Sequence, residues 1–231
     1  MSDAWKIHTL VFDLDDTLYP EGDFVRSGFR AVDKWLQTDR GIAGFSGAAE
    51  SVFSAGQRGD IFDAVLPVLG VEASAGLVKE LVEIYREHEP TIELFPDALE
   101  VLAWADPALN LGLITDGYAA VQSRKIKALG LEPRIRCRII SDELGRACWK
   151  PSIEPYKRVM AYYPGPAGGF VYVADNPRKD FIGARQLGWR TVRVRRAGGE
   201  HHRYEASVAE AADVEIASLR ELPRLIVQMK G

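Results

Sequence analysis

Two short apolar runs, Thr9-Leu10-Val11-Phe12 and Leu111-Gly112-Leu113-Ile114, are separated by a stretch over residues 19–109 that contains no convincing strand. A parallel βαβ crossover needs about a dozen residues or a little more, so the roughly ninety present here point to an inserted folding unit. Three more short β-type runs follow, Arg138-Ile139-Ile140, Phe170-Val171-Tyr172-Val173 and Thr191-Val192-Arg193-Val194, each alternating with helical patterns. This alternation predicts an α/β fold, a parallel sheet with helices on both faces. Most of the runs are continuously apolar, as strands covered on both sides must be.

The insertion reads as helical. Val25, Phe29, Val32 and Leu36 fall at i, i+4, i+7 and i+11, which predicts an amphipathic helix near 24–38 with Trp35 in its packing face. Residues 61–69 and 75–88 read the same way, and the Gly-rich segment from Gly41 to Gly47 reads as a loop. The expected organisation is therefore an α/β core of residues 1–18 and 91–231 with a small α-helical cap of residues 19–90. Asp97 is placed to N-cap the helix that returns to the sheet. The tail predicts a short strand at Val214-Glu215-Ile216 and a closing helix, with Pro223 tolerated in its first turns.

The 29 basic and 33 acidic residues leave a formal charge of -4, which gives no long-range reason to bind nucleic acid or anionic lipid. The start, from Met1 to His8, shows no basic cluster leading into an apolar stretch, and no window approaches a membrane span, so a cytoplasmic protein is expected. Cys137 and Cys148 lie outside any Cys-x-x-Cys or Cys/His ligand pattern and read as packing residues. His201-His202 is assigned no metal. Arg193, Arg195 and Arg196 read as a solvated strand edge.

In an open parallel sheet, the loops leaving the carboxyl ends of the strands line the ligand crevice. Three such loops carry polar clusters: Asp13-Leu14-Asp15-Asp16-Thr17, Thr115-Asp116-Gly117, and Asp175 through Asp180. Turns use Asp, Asn and Gly for their own geometry, and Asp116-Gly117 alone reads as such a turn. Gathering Asp13, Asp15 and Asp175 at one sheet edge is a different matter. Like charges about 4 Å apart repel by roughly 1 kcal/mol in water and about 4 kcal/mol at an effective dielectric of 20. A cation is required, and an all-oxygen set without His or Cys favours magnesium over zinc.

The run Val11-Phe12-Asp13-Leu14-Asp15-Asp16-Thr17-Leu18, then Leu113-Ile114-Thr115-Asp116-Gly117, then Trp149-Lys150-Pro151, then Asp175 and Asp180 before Phe181-Ile182-Gly183-Ala184, resembles the four motifs of the haloacid dehalogenase superfamily in order and spacing. The resemblance implies a Rossmann-like core with a helical cap inserted after the first motif, and a Mg2+-dependent phosphatase. By that resemblance Asp13 is the nucleophile, Asp15 the general acid and base, Thr115 a donor to a phosphoryl oxygen, and Lys150 the neutralising cation. Asp116, Gly117 and Tyr19 join the phosphate and substrate contacts. The metal is implied at Asp13, Asp175 and the backbone carbonyl of Asp15, with Asp180 in a direct or supporting role. Ala174 stands where the family often has Gly. Asp15 argues against a dehalogenase or a phosphonatase, whereas a phosphomutase and a binding protein that has lost turnover stay open as alternatives. The expected partner is a small phosphorylated metabolite, a sugar phosphate or nucleoside monophosphate, because a cap that closes over a crevice admits small substrates.

Overall fold

The computed structural model describes residues 6–105 and 109–229. The amino-terminal residues 1–5, part of the segment read for a leader, lie outside that range. In chain order the elements begin with β1 (Thr9–Phe12), then α1 (Glu21–Arg40), α2 (Phe45–Ser54), α3 (Ile61–Val68), α4 (Ala75–Glu87) and α5 (Pro96–Ala105). They continue with β2 (Asn110–Thr115), α6 (Ala119–Ala128), β3 (Cys137–Ile140), α7 (Glu154–Tyr162), β4 (Phe170–Ala174), α8 (Asp180–Gln186), β5 (Arg190–Val194), β6 (Val214–Ile216) and α9 (Leu222–Gln228). The chain divides into two compact units, Met1–Pro20 with Glu93–Gly231, and Glu21–Ile92.

The larger unit is built on a six-stranded sheet of order β3-β2-β1-β4-β5-β6, every neighbouring pair parallel. Strand side chains alternate between faces with period two. Val11, Ile114, Phe170, Tyr172 and Ala174 share one face and pack with Tyr156 and Val159 of α7 and Phe181 and Ala184 of α8. The alternate set, Leu10, Phe12, Leu113, Val171 and Val173, is equally buried, so both faces are covered. This is the Rossmann-like α/β architecture. Connections run from β1 through β2 to β3 on one side and then return to β4 on the other, which makes the β1/β4 edge the topological switch point where such sheets bind ligands.

The smaller unit buries Phe29, Val32 and Leu36 of α1 with Phe45 and Ala49 of α2, Phe62, Val65 and Leu66 of α3, and Leu81 of α4. Gly28 lets α4 approach closely, since a Cβ there would fall 2.3 Å from the Tyr85 ring. Trp35 is half-buried against this core with Arg40 over its ring. The segment read as a loop from Gly41 to Gly47 ends sooner than expected, because α2 starts at Phe45. No local residue caps α2. Gly44 adopts a left-handed conformation at its N-cap, and Asp33 of α1 accepts from the Phe45 N–H at 2.8 Å. A cap supplied by another helix leaves no local start signal.

Two further expectations are corrected. Arg193 is no solvated edge. It lies within β5 between β4 and β6 and is 1% exposed, with its guanidinium donating to Glu215, to the His201 and Tyr204 carbonyls, and to the Asp175 carbonyl. Asp97 does not N-cap α5. It sits inside the first turn and accepts from Arg196, from the Ser218 hydroxyl and from the Leu219 N–H, tying the start of α5 to the carboxyl-terminal segment.

Candidate active site

β1 continues its pairing one residue past its end, where the Asp13 N–H donates to the Val173 carbonyl at 2.9 Å. That bond sets Asp13 at the carboxyl edge of β1 beside the loop that follows β4. Asp175 opens that loop and Asp180 closes it as the first residue of α8. The Asn176 N–H donates to Asp180 Oδ2 at 3.0 Å, the Asn176 side chain accepts from the Arg178 N–H at 3.1 Å, and the Tyr156 hydroxyl donates to the Asp180 carbonyl at 2.6 Å. Gly183 is required one turn later, since a Cβ would fall 2.8 Å from the Pro151 carbonyl oxygen and 3.0 Å from that of Ser152. This close approach holds α8 against the segment that carries Lys150.

Carboxylate oxygens of Asp13, Asp175 and Asp180 all lie within 4.8 Å of one another, and all three residues are buried. The Lys150 ammonium pairs with two of them, 2.5 Å from Asp13 Oδ1 and 2.7 Å from Asp180 Oδ1, and it donates to the Tyr172 hydroxyl at 3.0 Å. The contact with Asp180 is an ion pair without hydrogen-bond geometry, so Asp180 Oδ1 stays buried with no hydrogen-bond donor. Burial pushes Asp13 up to about 7, with Asp180 and Asp15 pushing the same way and Lys150 and Lys179 opposing. Burial also raises Asp175 well above the usual carboxylate range, and Asp180 and Asp13 add to it. Lys150 responds in the opposite sense: burial disfavours its charge, but Asp13 and Asp180 overcome this and hold it protonated.

Thr115 ends β2 and is buried, and Asp116 follows it. Asp116 does more than form a turn. Its carboxylate accepts from the Ser141 hydroxyl, from the Lys150 N–H at 3.2 Å and from the Lys179 ammonium at 3.2 Å, so it joins the ends of β2 and β3 to the Lys150 segment and the Asp175 loop. Burial would raise the Asp116 carboxyl, but Lys150, Lys179 and Ser141 bring it below the ordinary value. Gly117 then takes φ of 132°, a region that L side chains avoid.

The Asp15 carboxylate is not one of the three that lie together. It accepts instead from the Tyr19 hydroxyl, from Lys125 Nζ at 2.7 Å and from Gln122 Nε2 at 3.1 Å. Burial alone would raise its pKa; Lys125, Tyr19 and Gln122 outweigh that and hold it below the ordinary value. Tyr19 is fully buried with its hydroxyl committed to Asp15. The structure thus brings Asp13, Asp175, Asp180 and Lys150 into one group, and Asp15, Tyr19 and Thr115 into a second that is linked by Gln122. Gln122, Lys125 and Lys179 went unassigned from sequence. The first two sit one turn apart on α6, and that i, i+3 spacing of polar residues just after the Thr115-Asp116-Gly117 loop is the signal that could have found them.

Asp13 and Asp180 share the Lys150 ammonium and Asp175 lies beside them, so when all three carboxylates are ionised they carry two more charges than the ammonium offsets, which one divalent cation would balance. The hard oxygen donors and the orphaned Asp180 oxygen fit magnesium. Without a cation the folded chain holds a proton on Asp13 between about 4 and 7, where an unfolded chain has released it. The folded state then binds more protons than the unfolded state, so this group's contribution to stability falls as pH rises through that window. Magnesium is therefore expected to raise the melting temperature more at pH 8 than at pH 5.5, by about 5–10 °C at a hundredfold excess over its Kd. Thermal unfolding with and without the ion at both pH values checks this, and a shift of equal size at both would contradict it.

A model of haloacid dehalogenase-like hydrolases matches residues 10–194, and the chain belongs to that family. A glyceraldehyde 3-phosphate phosphatase from Methanocaldococcus jannaschii is 29% identical over 232 residues, covering 97% of this chain and 99% of the relative. A glyceraldehyde 3-phosphate phosphatase from Methanopyrus kandleri is 30% identical over 228 residues, covering 94% and 95%. Among solved structures, a 2-haloacid dehalogenase from Pseudomonas syringae pv. Tomato DC3000 superposes with a TM-score of 0.65 at 22% identity over 96% of this chain and 99% of that one, a likeness of fold. The protein is a hydrolase, and both of these full-length relatives are phosphatases. Among the described residues no helix is long and apolar enough to cross a membrane.

Proposed function

We propose that this hydrolase cleaves a small phosphate monoester through an aspartyl-phosphate on Asp13. The observation that carries this reading is the division of labour between two carboxylates two residues apart. Asp13 faces Lys150 at 2.5 Å beside Asp175 and Asp180, while Asp15 is held by a separate set of donors. A dehalogenase of this fold needs the first carboxylate and has no use for the second as a proton donor.

Asp13 attacks phosphorus in line with the ester oxygen, and Lys150 neutralises charge on the attacking and transferring oxygens. Thr115 donates its hydroxyl proton to a phosphoryl oxygen. Asp15 gives a proton to the departing ester oxygen and then takes one from the water that hydrolyses the phospho-enzyme. A magnesium ion held by Asp13, Asp175, Asp180 and the Asp15 carbonyl would supply electrostatic stabilisation of the transferring group.

A sugar phosphate of triose size is the leading substrate class, because the two full-length relatives are named for one. Purified protein with magnesium is expected to release inorganic phosphate from glyceraldehyde 3-phosphate within a panel of phosphorylated metabolites, and to stop when the ion is chelated. Turnover of nucleoside monophosphates in preference to every sugar phosphate would move the substrate assignment. Release of halide from a 2-haloacid with no phosphate release from any ester would refute the reaction.

A further inference from the structure

Arg193 pairs across the sheet with Ala174 of β4, the residue just before Asp175. Its guanidinium is always charged and the residue is 1% exposed, so its N–H groups must find partners inside the protein. Packing alone does not call for so costly a group in the middle of a strand. Nη1 donates to Glu215 Oε1 at 2.8 Å, and Nη2 donates to the carbonyls of His201 at 2.7 Å and Tyr204 at 3.0 Å. These three anchors fix the plane of the fork, and Nε then donates to the Asp175 carbonyl at 3.3 Å. That carbonyl belongs to the peptide group that carries the chain out of β4, so its orientation governs where the Asp175 side chain points. The segment that supplies two of the anchors is itself tied to the loop after β1, where the Glu200 N–H donates to Asp16 Oδ2 at 3.2 Å.

We infer that Arg193 is a positioning residue for the metal site: by gripping the Asp175 peptide it keeps the Asp175 carboxylate beside Asp13 and Asp180 and so tightens magnesium binding. This inference rests on the magnesium-dependent reading above and brings in a residue of β5, outside the four motif loops. The charge of Arg193 works against a nearby cation, whereas its hydrogen bonds favour the site, so charge and geometry act with opposite signs. Arg193→Lys keeps the charge and removes the fork, because one compact ammonium cannot reach acceptors on four residues in a fixed plane. The substitution therefore isolates geometry.

The test measures the magnesium Kd by calorimetry on protein shown to be folded by circular dichroism. Arg193→Lys is expected to raise that Kd by about tenfold or more, within the range seen when a group that orients a metal ligand is lost. Arg195→Lys is the control. Arg195 grips the same segment through the His202 carbonyl and pairs with Glu205 and Glu215 instead of Asp175, so its loss should leave the Kd nearly unchanged. A second measurement needs no variant: in 15N-labelled wild-type protein the Arg193 Nε–H resonance should shift as magnesium is added and saturate at the calorimetric Kd. An unchanged Kd in folded Arg193→Lys, an equal rise in Arg195→Lys, or an Nε–H signal that stays fixed at saturating magnesium would overturn the inference. Wild-type protein that binds no magnesium would instead remove the metal reading beneath it, and the two failures are distinct.

Discussion

Asp13→Asn is expected to lower phosphate release by about 10⁴-fold or more at saturating substrate, the scale on which loss of a nucleophile is felt. The amide cannot form an acyl phosphate that water then clears, so neither half of the reaction survives. The same change should leave the fold intact. Asparagine matches the carboxylate in shape, and burial already lifts the Asp13 carboxyl to about 7, so the metal-free protein gives up little by losing that charge. A melting temperature in the absence of metal equal to or above that of the wild type, beside an activity below detection, is the combined result to look for in parallel unfolding and phosphate-release assays.

Lys150→Met is expected to damage both properties. Its ammonium is fully enclosed between Asp13 and Asp180, and removing it leaves two buried carboxylates without their cation. Breaking a buried pair from one side costs about 3–5 kcal/mol. For a chain of this size each kcal/mol moves the melting temperature by about 2–4 °C, so a fall of roughly 6–20 °C is expected. Loss of one fixed electrostatic contact to the transferring group should lower kcat by about 10²–10³-fold. Magnesium should recover part of the stability, since it supplies positive charge to those two carboxylates and to Asp175 beside them, but not the turnover. Thermal unfolding of Lys150→Met with and without the ion, set beside its kcat, separates the two effects.

The site was legible where its chemistry sits at strand ends. Asp13, Thr115 and Asp175 each follow a β-type run directly, and a parallel sheet carries such residues to one edge whatever the intervening chain does. Asp180 came with the resemblance to the family's fourth motif, and its burial beside Lys150 left no mark in the sequence. Gln122 and Lys125 were hidden for a physical reason: on a helix such residues look like an ordinary solvated face, and only the packing of α6 against the Asp15 loop buries them. Arg193 was misread for a related reason. An arginine in a strand suggests an edge until β6 and the carbonyls of His201 and Tyr204 close around it. The first, third and fourth helices of the smaller unit announced themselves by apolar spacing, whereas α2 was masked by Gly41, Gly44 and Gly47 and by a cap contributed from Asp33.

Fold alone would not have chosen the reaction, since a 2-haloacid dehalogenase shares it at a TM-score of 0.65. The choice rests on which atom becomes bonded to phosphorus, and mass spectrometry of enzyme quenched in acid during turnover reads that atom directly. The account predicts one added phosphoryl group on the peptide that contains Asp13, absent from Asp13→Asn. A phosphoryl group on any other side chain, or phosphate release at full rate with no modified peptide, would contradict it.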